Sequence, residues 1–231
     1  MARRIRQGEF GRENSAMTDG EAARDPQRPV RLLLAERAAL MPLLRRTPAE
    51  RFDRPSVCTG WSVRDVLAHC GAALTRVAQR RLHAFSPAAN EADVAERRPW
   101  PLERVLDELD AGYLAAGTRI ALSRGLLDVI ALGEWIHGGD VREALGEPGA
   151  YASEGLDDAL VLLTDWSRRK HLRLLEVKLP GRTLTLGEPS GRPAASLATD
   201  PGTLIRMTSG RPFDARRATL SGAEPNELVL F

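Results

Sequence analysis

Hydrophobic residues recur every three or four positions over most of the first 175 residues, a spacing that predicts a succession of amphipathic helices. A capping box, Ser62-Val63-Arg64-Asp65, marks the start of the second of them. The polar stretch 87–99 carries no such spacing and is predicted to be a loop. The five predicted helices cover residues 29–46, 63–77, 102–124, 127–145 and 156–175.

Beyond Pro180 the period changes from that of a helix to that of a strand. Arg182–Leu186 alternates polar and apolar residues, and 195–199 does so again. Asp200-Pro201 begins a short helix, a third strand is predicted at 217–220, and a helical turn at 226–231. The predicted fold class is therefore mainly α, with a helical bundle over 30–178 and a small α+β domain over 179–231. Residues 1–29 have no periodicity and are expected to form a disordered leader.

The composition is ordinary for a soluble globular protein. Of 231 residues, 43% are hydrophobic and 28% charged. Two cysteines, Cys58 and Cys70, give no sign of a disulfide framework. Neither a membrane-spanning apolar run nor a secretory signal is found, so we expect a cytoplasmic protein that does not bind membranes.

The net charge of +2 does not predict binding to nucleic acid. Only two of the 33 basic residues, Lys170 and Lys178, are lysine, which indicates a coding bias towards arginine. Basic residues alternate with acidic ones, and no basic stripe is interleaved with aromatic residues. We therefore expect no nucleic-acid partner.

The fourth predicted helix carries the most informative polar residues. Glu134 lies in the middle of an apolar stripe, with His137 three residues further on and on the same side. A buried, isolated carboxylate would cost several kcal/mol, so Glu134 must be paired, protonated or bound to a metal. One interpretation is a buried pair with an arginine or histidine that only fixes the packing. The other is metal ligation, since Glu-x-x-His pairs build metal sites in helical bundles.

His69, on the second predicted helix, is a candidate third ligand. Two histidines and one carboxylate match the open three-ligand set of catalytic zinc, whereas a lone histidine here would be a hydrogen-bonded boundary residue.

Asp65 is either a helix cap or a carboxylate that orients His69. Cys70 is expected to be a buried small hydrophobe, and Asp140 and Arg142 form either a pair near the site or a pair on the helix surface. Two further histidines, His83 and His171, lie among arginines and are expected to be solvated.

Two motifs carry a family resemblance. They are Gly60-Trp-Ser-Val-Arg-Asp-Val-Leu-Ala-His69 and His137-Gly-Gly-Asp-Val-Arg142. With them the chain resembles the mycothiol-dependent maleylpyruvate isomerase family, part of the DinB-like superfamily of metal-binding four-helix bundles. The tail, with Thr208-Ser-Gly-Arg211, resembles that family's small sterol-carrier-like C-terminal domain. Together the two parts cover about residues 30–231.

The resemblance implies a set of site residues. Family members bind a divalent metal, commonly zinc, through a histidine of the second helix and a carboxylate and histidine of a later one, which correspond to His69, Glu134 and His137. The chain departs from the family in one respect: the carboxylate usually lies four residues before the histidine, where this sequence has Gly133. An arginine of the small domain is also expected to reach the site, and Arg211 is the nearest match.

The function that these features predict is that of a metal-dependent thiol enzyme. By resemblance its cofactor or co-substrate is mycothiol, and the reaction is isomerisation by thiol addition and elimination, or S-transfer, on a small electrophilic substrate. Arg211 or Arg142 would hold an anionic group. The alternative is a non-catalytic protein that binds a small or apolar ligand and retains a degenerate metal site.

Overall fold

The computed structural model describes residues 24–81 and 86–231, and the described part is mainly helical. Three of its features were set by local sequence: Ser62 begins α2, Gly146 in the left-handed conformation ends α5, and Asp200 begins α7. The helices are α1 (Arg28–Arg46), α2 (Val63–Ala78), α3 (Pro87–Arg97), α4 (Leu102–Leu122), α5 (Asp128–Leu145), α6 (Leu156–Arg169) and α7 (Pro201–Thr208).

The four long helices α1, α2, α4 and α5 form the bundle. α2 packs against α4 and α5, and α1 packs against the same two helices from the other side. Their contact is apolar, because Leu33, Leu67, Leu109 and Trp135, one from each helix, are fully buried and belong to a single hydrophobic core. This arrangement confirms the predicted four-helix bundle.

A four-stranded sheet follows the bundle. Its strands are β1 (Leu175–Leu179), β2 (Arg182–Leu186), β3 (Ala195–Ala198) and β4 (Thr219–Ser221), in the spatial order β2-β1-β3-β4. β1 pairs antiparallel with β2 and parallel with β3, and β3 pairs antiparallel with β4. α6 packs on β2, and the Gly187 backbone N–H donates to Ser167 Oγ of α6 at 2.8 Å, so the sheet is attached to α6, the helix that follows the four-helix bundle.

Local sequence signals predicted several of these elements correctly. The capping box is formed: Ser62 Oγ accepts from the Asp65 backbone N–H, and Asp65 Oδ2 accepts from the Ser62 backbone N–H. β2 occupies the predicted range Arg182–Leu186. α5 is interior to the bundle, as the apolar residues around it indicated.

Two predictions of secondary structure were wrong. The stretch 87–99 is not a loop, because it contains α3, which buries only Val94 and Arg97 and therefore has almost no apolar stripe. α6 does not run to Leu175 but ends at Arg169, and β1 begins six residues later. β1 was not predicted as a strand, because the predicted helix ran on to Leu175, the first residue of that strand.

Residues 1–23, most of the predicted leader, lie outside the described residues, and so does His83. Arg24 and the start of α1 at Arg28 belong to the described part, and the Arg24 guanidinium pairs with Asp128 on α5. Within 24–81 and 86–231, no helix combines the length and apolar character that a membrane span requires.

Candidate functional site

The site is built on the middle of α5, where the sequence is His137-Gly138-Gly139-Asp140. Glycine inside a helix costs about 1 kcal/mol relative to alanine, so two in succession need a reason. A Cβ on Gly138 would lie 1.7 Å from Glu36 Oε1, and one on Gly139 would lie 2.4 Å from the Tyr151 ring. The two glycines therefore let a carboxylate and an aromatic ring pack directly on the helix backbone, on either side of the polar residues of the site.

Two imidazoles from different helices face each other here. His69 of α2 and His137 of α5 have ring centroids 5.1 Å apart in an edge-to-face arrangement, and Trp61 covers the other side of His69 at 5.0 Å. His69 is 9% exposed, and its Nδ1 is buried without a hydrogen-bond partner. Burial, with a smaller effect of His137, lowers the pKa of His69 to about 3. His69 is therefore a neutral, unpaired nitrogen donor, the form in which histidine ligates metals.

Asp140 is the centre of the polar network. It is 0% exposed, and Oδ2 lies 2.9 Å from His137 Nδ1. Arg211 donates to both of its oxygens at 2.9 and 2.7 Å, and the Tyr151 hydroxyl donates to Oδ1 at 2.6 Å. Burial opposes its charge, but the hydrogen bonds from Arg211 and His137 hold the pKa of Asp140 well below its usual range. Asp140 is an anion that fixes the orientation of the His137 ring.

Arg211 reaches this network from the small domain. It follows α7, and its Nη1 also donates to the Ser209 carbonyl oxygen at 2.7 Å. Close by, Arg206 of α7 forms an ion pair with Glu143 of α5 at 2.5 Å. The small domain therefore docks on the second half of α5 through two arginines, and Arg211 lies where the resemblance implied an arginine.

Cys58 contributes a sulfur from the loop that precedes α2. Its Sγ is 3.8 Å from His137 Nδ1 and 3.3 Å from Asp140 Oδ2. A turn closed by the Trp61 backbone N–H, which donates to the Cys58 carbonyl oxygen, holds the residue against α5. Burial and the Asp140 carboxylate raise the pKa of the Cys58 thiol to about 12. Without a bound metal ion, this thiol is protonated and is not an activated nucleophile.

Glu134, predicted from the sequence as the third ligand, lies among other partners than the two histidines. It is 3% exposed, is linked by a hydrogen bond to the Cys70 thiol, and has a buried Oε2 without a partner. Burial raises the pKa of Glu134 to about 8, the bond to Cys70 opposes this, and nearby Glu36 adds to it. Glu134 is therefore neutral at pH 7, the protonated outcome that its position in an apolar stripe allowed.

Arg142 is committed to a buried ion pair. Its Nη2 donates to Glu36 Oε1 of α1 at 2.6 Å, and its Nη1 donates to the Ala150 carbonyl oxygen. Burial raises the pKa of Glu36 to about 7, although Arg142 opposes this. Asp140 and Arg142 thus do not pair with each other, since each has a partner from another element. The position of Arg142 argues against the expected role in holding an anionic group of the substrate.

The ligand atoms that converge are not the predicted ones. Among the described residues, the single group of three His, Cys, Asp or Glu ligand atoms that all lie within 4.8 Å of one another is Cys58, His137 and Asp140. His69, Glu134 and His137 do not form such a group, although the two imidazoles are adjacent. A cation would find a donor set of imidazole nitrogen, sulfur and carboxylate oxygen on the face of α5 that lies against Cys58, and the His69 ring lies beside the His137 ring of this set.

Other sequence expectations are settled by contacts. Asp65 caps α2 and also pairs with Arg98. Cys70 is buried, as expected, and His171 is exposed beside Glu188. Cys58 and Tyr151 were missed by sequence reasoning, because nothing in the spacing of a loop residue shows which helix it will touch. The Gly-Gly pair was the available signal that large side chains pack against α5.

The fold and the site together define a four-helix bundle with a small α+β domain docked beside two facing histidines. Residues 33–122 match the family model described as the mycothiol maleylpyruvate isomerase N-terminal domain. This part of the chain, which runs from α1 to the end of α4, is therefore similar to that family's N-terminal domain.

Solved structures agree with the fold over most of the chain. A crystal structure of the mycothiol-dependent maleylpyruvate isomerase superposes with a TM-score of 0.55 at 15% identity, and a histidine-to-alanine mutant of that isomerase with 0.57 at 13% identity. Each comparison covers 87% of this chain and 95% of the other. No curated protein sequence matches the chain.

The buried pair between Arg142 and Glu36 predicts a loss of stability on substitution. Arg142→Met leaves a carboxylate buried without its cation, which should lower the free energy of unfolding by about 3–5 kcal/mol. Adding Glu36→Met should recover most of this loss, because the pair is replaced by two apolar side chains of similar length. Urea unfolding at pH 8 measures both. An Arg142→Met protein with unchanged stability would contradict the structural role.

The raised pKa of Glu134 predicts a dependence of stability on pH. The native protein holds a proton at Glu134 up to about pH 8, whereas the unfolded chain releases it near pH 4.5, so the free energy of unfolding should fall as pH rises between these values. Glu134→Gln should remove about 2–4 kcal/mol of that fall, at ~1.4 kcal/mol per pKa unit. Glu36 contributes a smaller fall in the same direction.

The measurement is urea unfolding of chelator-treated protein from pH 5 to pH 8. Glu103→Gln is the matched control, since Glu103 is exposed and pairs only with Arg45 on the surface. Parallel pH profiles for the wild type and Glu134→Gln would mean that Glu134 is ionised in the native protein.

Proposed function

We propose that the protein is a metal-dependent thiol enzyme that uses mycothiol, or a low-molecular-weight thiol like it, on a small electrophilic substrate. The observation that carries the proposal is the pair of facing imidazoles, His69 with a buried unpartnered Nδ1 and His137 oriented by Asp140. The similarity of residues 33–122 to the N-terminal domain of the isomerase family, and the fold shared with the mycothiol-dependent isomerase, support it.

The residues present fit a divalent cation, with zinc the best match to their donor types. His69 and His137 would hold it, and Asp140, whose Oδ2 lies 2.9 Å from His137 Nδ1, would keep the His137 ring in place beside it. Glu134, the third donor expected by resemblance, is hydrogen-bonded to Cys70 and lies outside the group of converging ligand atoms, which weakens its candidacy. A bound cation supplies one kind of chemistry here: it keeps the sulfur of a thiol in the thiolate form near neutral pH.

The chain's own residues would provide the rest of the catalysis. The thiolate sulfur forms a bond to an electrophilic carbon of a conjugated double bond, and the electron pair of that bond moves to the carbonyl oxygen. After rotation about the resulting single bond, the electron pair returns from the oxygen and the thiolate is expelled, which gives cis–trans isomerisation. If the carbon next to the carbonyl instead takes a proton from solvent, the adduct persists and the reaction is S-transfer. Trp61 covers one side of His69 and limits access of water to that side.

Arg211 acts in this scheme by positioning. Its Nε and Nη2 are engaged with Asp140, and its side chain is 13% exposed, so it fixes Asp140 and through it the His137 ring. An N–H of its guanidinium that Asp140 and Ser209 leave unused would interact with an anionic group of the substrate or thiol.

A second candidate function is supported by one observation. The position four residues before His137 is Gly133, and a Cβ there would meet no atom within 4 Å, so the space where the family has a carboxylate is open. A chain that has lost this ligand would be a small-molecule binding protein with a degenerate metal site. Thermal stabilisation by apolar ligands, with none by zinc or mycothiol, would favour it.

Metal analysis of protein purified without chelator tests the main proposal. We expect about one divalent cation per wild-type chain, and its loss from His69→Ala and His137→Ala, because each variant removes an imidazole donor. His171→Ala is the matched control, since His171 is exposed and pairs with Glu188 away from the site. Mycothiol should stabilise the wild type against heat only when the cation is bound.

The proposal is contradicted if wild-type protein binds zinc no better than the His69→Ala and His137→Ala variants. Isomerisation of maleylpyruvate with mycothiol then separates the two candidate functions. Turnover that falls by about 100-fold or more in His137→Ala supports an enzyme, and no turnover with cation-loaded wild type leaves the binding protein.

A further inference from the structure

We infer that Cys58, through its Sγ, is a ligand of the cation at this site, together with His137, in the place that Glu134 was expected to fill. The inference rests on the proposed function, because it assumes that a cation binds beside His137. It assigns a role to a loop residue outside both sequence motifs, and it makes the site one with a sulfur donor.

The separation of the donor atoms is the first argument. A tetrahedral cation lies about 2.3 Å from sulfur and ~2.0–2.1 Å from nitrogen, so it separates these two donors by about 3.5–3.6 Å. Cys58 Sγ and His137 Nδ1 are 3.8 Å apart. A movement of a few tenths of an ångström, within the freedom of one side chain, would bring the two atoms onto a shared cation.

The surroundings of the two donors give the second argument. Asp140 Oδ2 lies 3.3 Å from Cys58 Sγ and 2.9 Å from His137 Nδ1, so both side chains already point at one oxygen. The other contacts of Asp140, with Arg211 and Tyr151, keep that oxygen in place. Next to this group lies the unpartnered Nδ1 of His69, a residue nine-tenths buried whose ring meets that of His137 edge to face. A cation bound here would supply the partner that the buried Nδ1 of His69 lacks.

The position of Glu134 gives the third argument. Its carboxyl group is hydrogen-bonded to the Cys70 thiol, and it does not belong to the group of converging ligand atoms. Gly133, where the family has its carboxylate, offers no side chain. The cation therefore lacks an anionic protein ligand from α5 other than Asp140, whose charge is already compensated by Arg211. A thiolate from Cys58 restores one negative charge to the donor set.

Cobalt(II) substitution tests this directly, because a cobalt–thiolate bond gives a sulfur-to-cobalt charge-transfer band in the near ultraviolet. Wild type titrated with Co²⁺ should develop this band, and Cys58→Ser and Cys58→Ala should lack it. The zinc affinity of both variants should fall by more than the ~10–100-fold that loss of an outer-shell partner costs. Glu134→Gln is the matched control and should keep the band.

The outcomes separate this inference from the function on which it rests. Cobalt binding that depends on His69 and His137 but gives no charge-transfer band, with unchanged affinity in Cys58→Ser, overturns the role of Cys58 and leaves the metal-dependent function standing. Loss of the band in Glu134→Gln but not in Cys58→Ser also overturns it. Absence of any Co²⁺ or Zn²⁺ binding by the wild type overturns both.

Discussion

The carboxylate of Asp140 is the interaction on which the site depends. A fully buried anion is stable only if its hydrogen-bonding capacity is met, and Asp140 meets it with partners from three parts of the chain: His137 on its own helix, Tyr151 after α5, and Arg211 of the small domain. The orientation of the His137 ring is thus coupled to the docking of the small domain. Removing Arg211 would leave a buried charge and would also remove one of the contacts that dock the small domain, so effects on stability and on the site should appear together.

The rest of α5 follows from the same need to compensate buried polar groups. Glu36 approaches the helix over Gly138 and is neutralised by Arg142, while Glu134 avoids charge by retaining its proton. Two buried carboxyl groups, Glu36 of α1 and Glu134 of α5, are therefore stabilised in different ways, one by an arginine and one by protonation. This difference explains why a glutamate in an apolar stripe is weak support for a metal site: protonation is open to it and needs no ligand.

Sequence predicted the parts of the fold whose signals are local. The Ser62 cap, the interior position of α5 and the strand Arg182–Leu186 each depend on a few neighbouring residues, and all three are present. α3 was missed because a helix that buries only Val94 and Arg97 has no stripe to detect. In the site, the spacing identified His69 and His137, and their adjacency could be expected from the bundle. The positions of Cys58, Tyr151 and Arg211 depend on loop conformation and domain docking, which periodicity does not encode.

The nature of the third donor decides what kind of cation site the bundle provides. Exchanging a carboxylate for a thiolate keeps the charge of the donor set but replaces a hard oxygen with a soft sulfur, which favours zinc over magnesium or manganese. If His69, His137 and Cys58 held a zinc ion, they would be three nitrogen and sulfur donors, the number that catalytic zinc sites take from the protein. A thiol co-substrate as the fourth donor would give two sulfurs and two imidazoles, a set that zinc accepts well. A site of this composition would bind its thiol through the metal itself, so the surrounding protein needs only to exclude water and to orient the electrophile.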